Sequence, residues 1–481
     1  MSTTDADRGA GPDRVEIDLG APLAVHVVAI GGSAMSGIAT VLLALGHRVT
    51  GSDIVASPRI DALRARGVPV TIGHATANVA ADVDLVVVSS AITEDNPEVI
   101  EARRRGLPVA RRADAQRAIV ATRRAIVVAG SHGKTTTTTM LTLILRDAGW
   151  DPSFLVGGDV AQLGATAAMH DGTWIVVEGD ESDGTFLELG ADAAIVTSVE
   201  ADHLAHYGGL PGLERAFASF VAATPGVKVL CIDDPATARL AADLPADLAD
   251  GVTYGFAAHA TVRIDEYAGT STGSSFVLTR EGDALGSISL SIPGRHNALN
   301  AAGAAAMALA LGAEFASVQR GLAAFGGLGR RFERRGERAG VTYVDDYAHL
   351  PGEVATMVSA AREGGWRRVV TVFQPHRYSR TAELWRDFAD AFVGSDLVVL
   401  TEVYGFNEPV IEGVSGRLIV RAVLDAHPDQ ALVYLPTRAD LITYVPTFAS
   451  AGDLVLSLGA GDLTTLPEEW LAAESTKAGA S

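Results

Sequence analysis

The sequence predicts an α/β protein of several domains built on parallel sheets. Three observations predict it. The chain has 481 residues, more than one hydrophobic core normally serves, so two to four domains are expected. Short, continuous apolar runs recur along it, separated by helical stretches, and runs of that kind suit parallel strands covered on both faces. Polar clusters follow the strand ends, such as Asp180-Glu181-Ser182-Asp183, Asp345 to His349 and Gln374 to Arg380. In open parallel sheets ligands gather at the carboxyl ends of strands.

Composition narrows the class. An apolar content of 48% with 20% charged residues describes a soluble globular chain. No apolar run reaches the length of a membrane span, so no membrane insertion is expected. The net charge of −20 argues against nucleic acid as the main partner. Small anions remain compatible, because helix ends and loops act locally. The single cysteine, Cys231, cannot form an internal disulfide, and its strand-like setting reads as a buried structural thiol. Met1 to Arg14 are polar and Gly-rich, without the apolar centre of a signal peptide. The expected compartment is the cytoplasm.

In chain order, residues 25–30 form a first expected strand, followed by Gly31-Gly32-Ser33 and a helix through Leu45 closed by Gly46. A short strand, Arg48-Val49-Thr50, runs into Gly51-Ser52-Asp53. An acid 22 positions after Gly31 resembles a dinucleotide fingerprint, in which it meets a ribose hydroxyl. Ala29 and Ala34 stand where glycines are expected, so these residues fit either a nucleotide site or close strand–helix packing. A strand at Leu85 to Val88 ends in Ser89-Ser90, and the alternation continues to about Arg112. This part reads as doubly wound.

The stretch Ala125 to Gly149 organises the chain. It reads as a buried strand, a tight loop (Gly130-Ser131-His132-Gly133), then Lys134, Thr135 and Thr136 opening a helix. Two glycines let the backbone turn sharply and bring N–H groups to an anion. The helix start adds its positive dipole end, Lys134 a full charge, and the Thr135 hydroxyl a ligand for Mg2+. Val128 occupies the position where the generic phosphate-loop pattern has its first glycine. The chain contains three lysines, Lys134, Lys228 and Lys477, and one of them stands at this turn. A compact point charge suits it better than arginine.

Downstream, Thr173 to Val177 is a buried strand ending in Glu178-Gly179-Asp180-Glu181-Ser182-Asp183. Four carboxylates there need solvent or a cation, and the phosphate loop favours Mg2+. A third strand, Ala193 to Thr197, leads to Asp202-His203, a metal or phosphate candidate. Alternating patches from Gly251 to Ile292 suggest an antiparallel β insertion, and Gly326 to Arg331 a hinge. The alternation then resumes, with strands at Val341 to Val344, Val369 to Phe373, Leu397 to Leu400 and Leu454 to Leu458. The tail from about Ala472 reads as disordered.

These stretches together resemble the Mur ligase family. The motifs that carry the likeness are Gly51-Ser52-Asp53, Gly130 to Thr136, Asp180 to Asp183, Asp202-His203, His296-Asn297, Arg330-Arg331-Phe332, Asp345 to His349, Gln374 to Arg380 and Gly459-Ala460-Gly461-Asp462. The resemblance spans Val25 to about Leu466. It implies three domains: a Rossmann-like UDP-sugar domain (1–121), a central P-loop-type ATPase domain with a parallel sheet and an antiparallel insertion (122–328), and a Rossmann-like amino-acid domain (329–481). It implies that ATP phosphorylates the lactyl carboxylate of UDP-N-acetylmuramate and that the amine of L-alanine attacks the acyl phosphate. A monomer or homodimer is expected.

The implied roles are as follows. Gly130, Ser131, His132, Gly133, Lys134, Thr135 and Thr136 hold the ATP phosphates. Thr135 and Glu178 bind one Mg2+, and His203 a second. Asn297, Arg331 and Asp346 contact the rest of the nucleotide. His349, His376, Arg377 and Arg380 line the amino-acid pocket, with arginine as a forked carboxylate clamp. Gly31, Gly32, Ser33, Asp53, His74 and Ser90 bind the uridine nucleotide. Ser131, Ser198 and Leu350 stand where the family usually has Thr, Asn and a second His. No lysine takes the place of the carbamylated lysine of several sister ligases. Three rivals remain open: a sister ligase that attaches a whole peptide to the same sugar nucleotide, a dinucleotide-dependent oxidoreductase, and a non-catalytic nucleotide-binding regulator.

Overall fold

The computed structural model describes residues 14–158, 160–202, 204–243 and 251–472. The expected metal ligand His203 and the tail after Ala472 lie outside these residues.

Among the described residues the chain forms three sheets. The first contains β1 (Ala24–Val28), β2 (Arg48–Asp53), β3 (Val70–Ile72), β4 (Leu85–Val88) and β5 (Val109–Arg111). All its pairings are parallel, in the order β3-β2-β1-β4-β5. All five residues of β1 are buried, as its unbroken apolar pattern requires. The strand stops at Val28, earlier than the sequence suggests, because Ala29 turns to φ 61°. In contrast, β2 runs on through Asp53, since Gly51 and Ser52 pair with Val27 and Val28.

The second sheet contains β6 (Arg124–Ala129), β7 (Ser153–Leu155), β8 (Ala167–Ala168), β9 (Trp174–Glu178), β10 (Ala193–Val196), β11 (Lys228–Cys231), β12 (Gly251–Gly255), β13 (Val262–Gly269), β14 (Ser274–Arg280) and β15 (Asp283–Leu290). Their order is β15-β14-β13-β12-β11-β10-β6-β9-β7-β8. The antiparallel insertion begins later than expected. β12 pairs parallel with β11, and β13 makes a short parallel pair with β12. The antiparallel part of the insertion is β13 to β15, whose links are too short for a crossover, and at the opposite edge of the sheet β8 runs antiparallel to β7. Glu281 and Gly282, at φ 53° and 94°, make the tight turn between β14 and β15.

The third sheet contains β16 (Glu333–Arg338), β17 (Val341–Asp346), β18 (Arg368–Phe373), β19 (Leu397–Leu400), β20 (Leu432–Tyr434) and β21 (Asp453–Leu458). The order is β16-β17-β21-β18-β19-β20, with β16 antiparallel to β17 and the rest parallel. Side chains alternate across it. Val369 and Phe373 enter the core on one face, and Val370 and Val372 enter the core on the other.

The chain divides into two compact units. One comprises residues 1–264, 278–285 and 299–324, and the other residues 265–277, 286–298 and 325–481. Within the first unit one continuous apolar core joins the first sheet to the second, with Ile38 and Ile119 beside Ala167, Phe186 and Phe217.

Candidate active site

The phosphate loop joins β6 to the helix Lys134–Asp147. Gly130 has φ 139° and Gly133 has φ 78°, backbone that side chains rarely adopt. Neither has room for a side chain: a Cβ would fall 2.1 Å from Thr197 Oγ1 at Gly130 and 2.2 Å from Asn300 Oδ1 at Gly133. Two of the loop amides expected at the phosphates have partners within the protein. Ser131 N–H donates to the Ser198 carbonyl at 2.9 Å, and His132 N–H donates to the Ser198 hydroxyl at 3.2 Å. Those two amides brace the loop. The helix itself has no side-chain cap, so its first-turn amides at Lys134, Thr135 and Thr136 are left for an anion to bind.

Each of the four carboxylates from Glu178, which ends β9, to Asp183 has a protein partner. Lys134 Nζ bonds the Gly130 carbonyl at 2.6 Å and lies 2.7 Å from Glu181 Oε2. Glu181 is buried, and burial raises its pKa while the Lys134 charge opposes that rise. Arg112 holds Asp180 at 3.1 Å and Asp183 at 2.6 Å. Glu178 accepts from the Thr135 hydroxyl at 2.9 Å and from Gly157 N–H at 2.8 Å. Of the expected metal ligands, Thr135 and Glu178 are therefore brought together. Two hard oxygen donors beside open amides and a lysine suit Mg2+ shared with phosphate oxygens. Among the described residues no group of three or more His, Cys, Asp and Glu side chains is placed to hold a metal.

The residues expected to bind uridine lie at the carboxyl edge of the first sheet. Gly31 N–H donates to Asp53 Oδ2 at 2.9 Å, which closes the glycine loop onto the acid. The Ser33 hydroxyl donates to the Gly157 carbonyl at 3.0 Å, and Gly157 N–H holds Glu178. The first glycine loop and the metal candidates thus share one backbone segment. His74 Nδ1 lies 3.0 Å from Ser52 Oγ, and Ser90 is exposed in the turn after β4.

In the second unit, His376 and Arg380 are joined by a 3.2 Å contact from Arg380 Nη1 to His376 Nδ1. Arginine only donates, so Nδ1 is a lone pair and the ring is neutral. Burial pushes the His376 pKa down to about 4, and the charges of His349, Arg380 and Arg377 add to the shift. Arg377 sits at φ 68°, donates its N–H to the Tyr404 carbonyl at 2.8 Å, and faces the Phe406 ring at 5.2 Å. His349 Nδ1 is 3.1 Å from the Tyr347 carbonyl, and its ring meets His376 edge-on. All four expected alanine-site residues are therefore local neighbours. Asp346 is fully buried, and both its oxygens accept backbone N–H groups, from Phe332 and Ala348, at 2.7 Å. Its visible role is to clasp the Arg330–Phe332 turn. Burial pushes its pKa up to about 6 against the pull of Arg331 and those hydrogen bonds. Arg331 stacks on Tyr347 at 5.6 Å, and Asn297 donates to the Pro293 carbonyl at 2.7 Å.

Three family models match the chain in succession. They are the Mur ligase family, catalytic domain, over residues 24–124, the Mur ligase middle domain over 128–308, and the Mur ligase, glutamate ligase domain, over 330–461. The UDP-N-acetylmuramate–L-alanine ligase of Desulforamulus reducens is 41% identical over 449 residues, covering 92% of this chain and 96% of the relative. That of Solidesulfovibrio magneticus is 42% identical over 453 residues, covering 94% and 98%. The chain belongs to the Mur ligase family. The crystal structure of UDP-N-acetylmuramate-alanine ligase from Thermotoga maritima superposes on this Mur ligase with a TM-score of 0.77 at 28% identity, over 93% of this chain and 98% of that one. A murein peptide ligase from Psychrobacter arcticus shares the fold, with a TM-score of 0.64 at 23% identity.

Three further residues touch the expected site residues and lie outside the motifs that name them. Asn300 lies against the phosphate loop at Gly133 and has its Oδ1 3.3 Å from the Thr137 hydroxyl in the helix that follows. Its neighbour Asn297 carried the motif, and helical spacing alone does not rank the two. Gly157 and Arg112 belong to no motif, so only the packing of the first unit reveals them.

Proposed function

We propose that this Mur ligase joins L-alanine to the lactyl carboxylate of UDP-N-acetylmuramate with hydrolysis of ATP to ADP and phosphate. The supporting observation is the identity to ligases of that activity across 92% of this chain and 96% of the relative. The succession of three Mur ligase models along the chain supports it as well. A carboxylate is a poor electrophile, and transfer of the γ-phosphoryl group makes it an acyl phosphate with a good leaving group. Such transfer depends on positioning and on neutralising charge. Lys134 supplies that charge by exchanging Glu181 for the phosphates. The first-turn amides of Lys134 to Thr136 orient them.

Thr135 and Glu178 would hold one Mg2+, and His203 is assigned to a second. The metal supplies further neutralisation of phosphate charge. Gly31, Gly32, Ser33, Asp53, His74 and Ser90 take the uridine nucleotide, and Asn297, Arg331 and Asp346 the remainder of ATP. Arg377 and Arg380 clamp the alanine carboxylate, and His376 and His349 wall the pocket. The amine, as the free base, attacks the acyl carbonyl and expels inorganic phosphate. The proposal includes the cytoplasm as compartment and a monomer or homodimer as assembly. No helix of the described residues is long and apolar enough to cross a membrane.

The test is ADP release with UDP-N-acetylmuramate and a panel of L-alanine, glycine, L-serine and a tripeptide. Release should require the sugar nucleotide and be fastest with L-alanine. Preference for the tripeptide, or no release with any of them, would overturn the reading.

A further inference from the structure

Beside the first sheet lies a buried polar cluster in which only His74 has been given a part in the ligation. Glu98 is the second residue of the helix Pro97–Arg104, is fully buried, and its N–H is capped by Asn96 at 2.9 Å. Its carboxylate is surrounded by donors. Oε2 accepts from the Ser52 hydroxyl at 2.5 Å and lies 3.3 Å from His26 Nε2. Oε1 accepts from the Asn78 side chain and from Ala75 N–H at 3.2 Å, and lies 3.5 Å from His74 Nδ1. Burial pushes this carboxyl up, but hydrogen bonds from His26, Ser52 and Asn78 outweigh it and bring its pKa to about 2. Glu98 is therefore an ionised carboxylate within a core.

An ionised carboxylate only accepts hydrogen bonds. Ser52 must give its proton to Glu98. Its oxygen can then serve His74 Nδ1, 3.0 Å away, only as an acceptor. The proton of a neutral His74 thus sits on Nδ1, and Nε2 is left as a lone pair. Among the described residues Nε2 has no partner, and the side chain keeps 13% of its surface exposed. His74 follows β3 and Ser52 precedes Asp53 in β2, both at the sheet edge where Asp53 closes the glycine loop.

We propose that Glu98, acting through Ser52, is a positioning residue that fixes the Nδ1-protonated tautomer of His74, so that Nε2 accepts a hydrogen bond from the uridine group, either the uracil imide N–H or a ribose hydroxyl. This rests on the assignment of the first domain to the sugar nucleotide. If the donor is the imide, a cytidine nucleotide is refused, because it carries a lone pair at that position.

Long-range 1H–15N correlation of the imidazole rings in the ligand-free full chain tests the tautomer, with His74→Gln assigning the signal. The wild type should show the proton on Nδ1. Ser52→Ala, which keeps the Glu98 carboxylate, should release that preference. It should also raise KM for UDP-N-acetylmuramate about tenfold, the worth of one hydrogen bond, with a much smaller change in kcat and in KM for ATP. Glu98→Gln should act in the same direction. Should that variant fail to fold, Ser52→Ala decides alone. Calorimetry with UDP, 3-methyl-UDP, CDP and 2′- and 3′-deoxy-UDP separates the donors. Imide recognition predicts about tenfold weaker binding of 3-methyl-UDP and CDP to the wild type but not to Ser52→Ala. Hydroxyl recognition predicts the same pattern for a deoxy analogue. A wild-type His74 protonated on Nε2, or Ser52→Ala binding UDP as tightly as the wild type, overturns the proposal. Failure of the wild type to bind any uridine nucleotide overturns the first-domain assignment itself, and the tautomer spectrum of the free protein distinguishes the two failures.

Discussion

Lys134 occupies its loop as a charge already neutralised, bonded to the Gly130 carbonyl and the buried Glu181. Lys134→Ala should lower kcat for ADP formation by about a thousandfold, the scale of removing a preorganised charge from a developing anion. The fold should survive, because burial has already raised the Glu181 pKa and the carboxyl can take up a proton when its partner is lost. Circular dichroism and UDP-N-acetylmuramate titration check the fold. Turnover near the wild-type level in a folded variant would defeat the ATP assignment. Ala29 carries a different strain. Its φ of 61° is left-handed, which costs a residue with a Cβ about 1–2 kcal/mol. Glycine removes that cost and gives back part of it as unfolded-state entropy. Ala29→Gly should therefore raise the unfolding free energy by about 0.5–1 kcal/mol, read as a slightly higher denaturation midpoint. A lowered midpoint would show that the methyl group is worth more than the strain.

Elements place the alanine clamp. The segment after β18 turns at Arg377 and enters the helix Tyr378–Leu384, which sets Arg380 one turn beyond His376. Arg380→Ala should raise KM for L-alanine by about 10- to 100-fold, as expected for a lost charge-assisted hydrogen bond, while KM for ATP changes little. Equal loss for both substrates would remove Arg380 from the amino-acid site. Arg377→Lys should also be harmful, since lysine lacks the planar fork. The same unit should be sensitive to acid. His376 and His296 both have pKa values lowered to about 4, mainly by burial. Between pH 6.5 and 4 the unfolded chain binds their protons and the folded chain does not, so stability falls as the pH drops through that window. Asp346, raised to about 6, works the other way, because the folded form binds its proton first on acidification. Two histidines outweigh one carboxyl. Urea midpoints measured from pH 7 to 4 should decline, and His296→Gln should flatten the decline. A midpoint independent of pH over this range would contradict the burial of both rings.

At the scale of the molecule, the weak glycine pattern of the first sheet is decided by what accompanies it. The phosphate loop, the carboxylates after β9 and the third sheet are parts of a ligase and have no use in a hydride-transfer enzyme. Calorimetry should therefore find binding of UDP-N-acetylmuramate and none of NAD or NADP. Tight NAD binding with no response to the sugar nucleotide would reverse the reading of the first domain. The assignment of residues 1–121, 122–328 and 329–481 to sugar nucleotide, ATP and amino acid is part of the same proposal.

Strand identity was legible in the sequence because a doubly covered parallel strand writes itself as an unbroken apolar run, as in Ala125 to Ala129 or Val369 to Phe373. The phosphate loop was legible because its chemistry is local: two glycines, a lysine and a helix start lie within a few residues. Distant pairings were not. Nothing in the order of residues says that Ser198 takes two loop amides, or that Arg112 holds Asp180 and Asp183. Nor does it say that Glu98 gathers His26, Ser52, His74 and Asn78. Those partners are decided by which strand ends the crossovers bring side by side. β12 was misread because an edge-ward parallel strand and an antiparallel one share the same alternation. The sequence by itself determined most of the strands and the glycine turns. Only the tertiary structure decided their partners, because hydrogen bonds and ion pairs in a core depend on distance and on the exclusion of water, and neither is a property of a position in the chain.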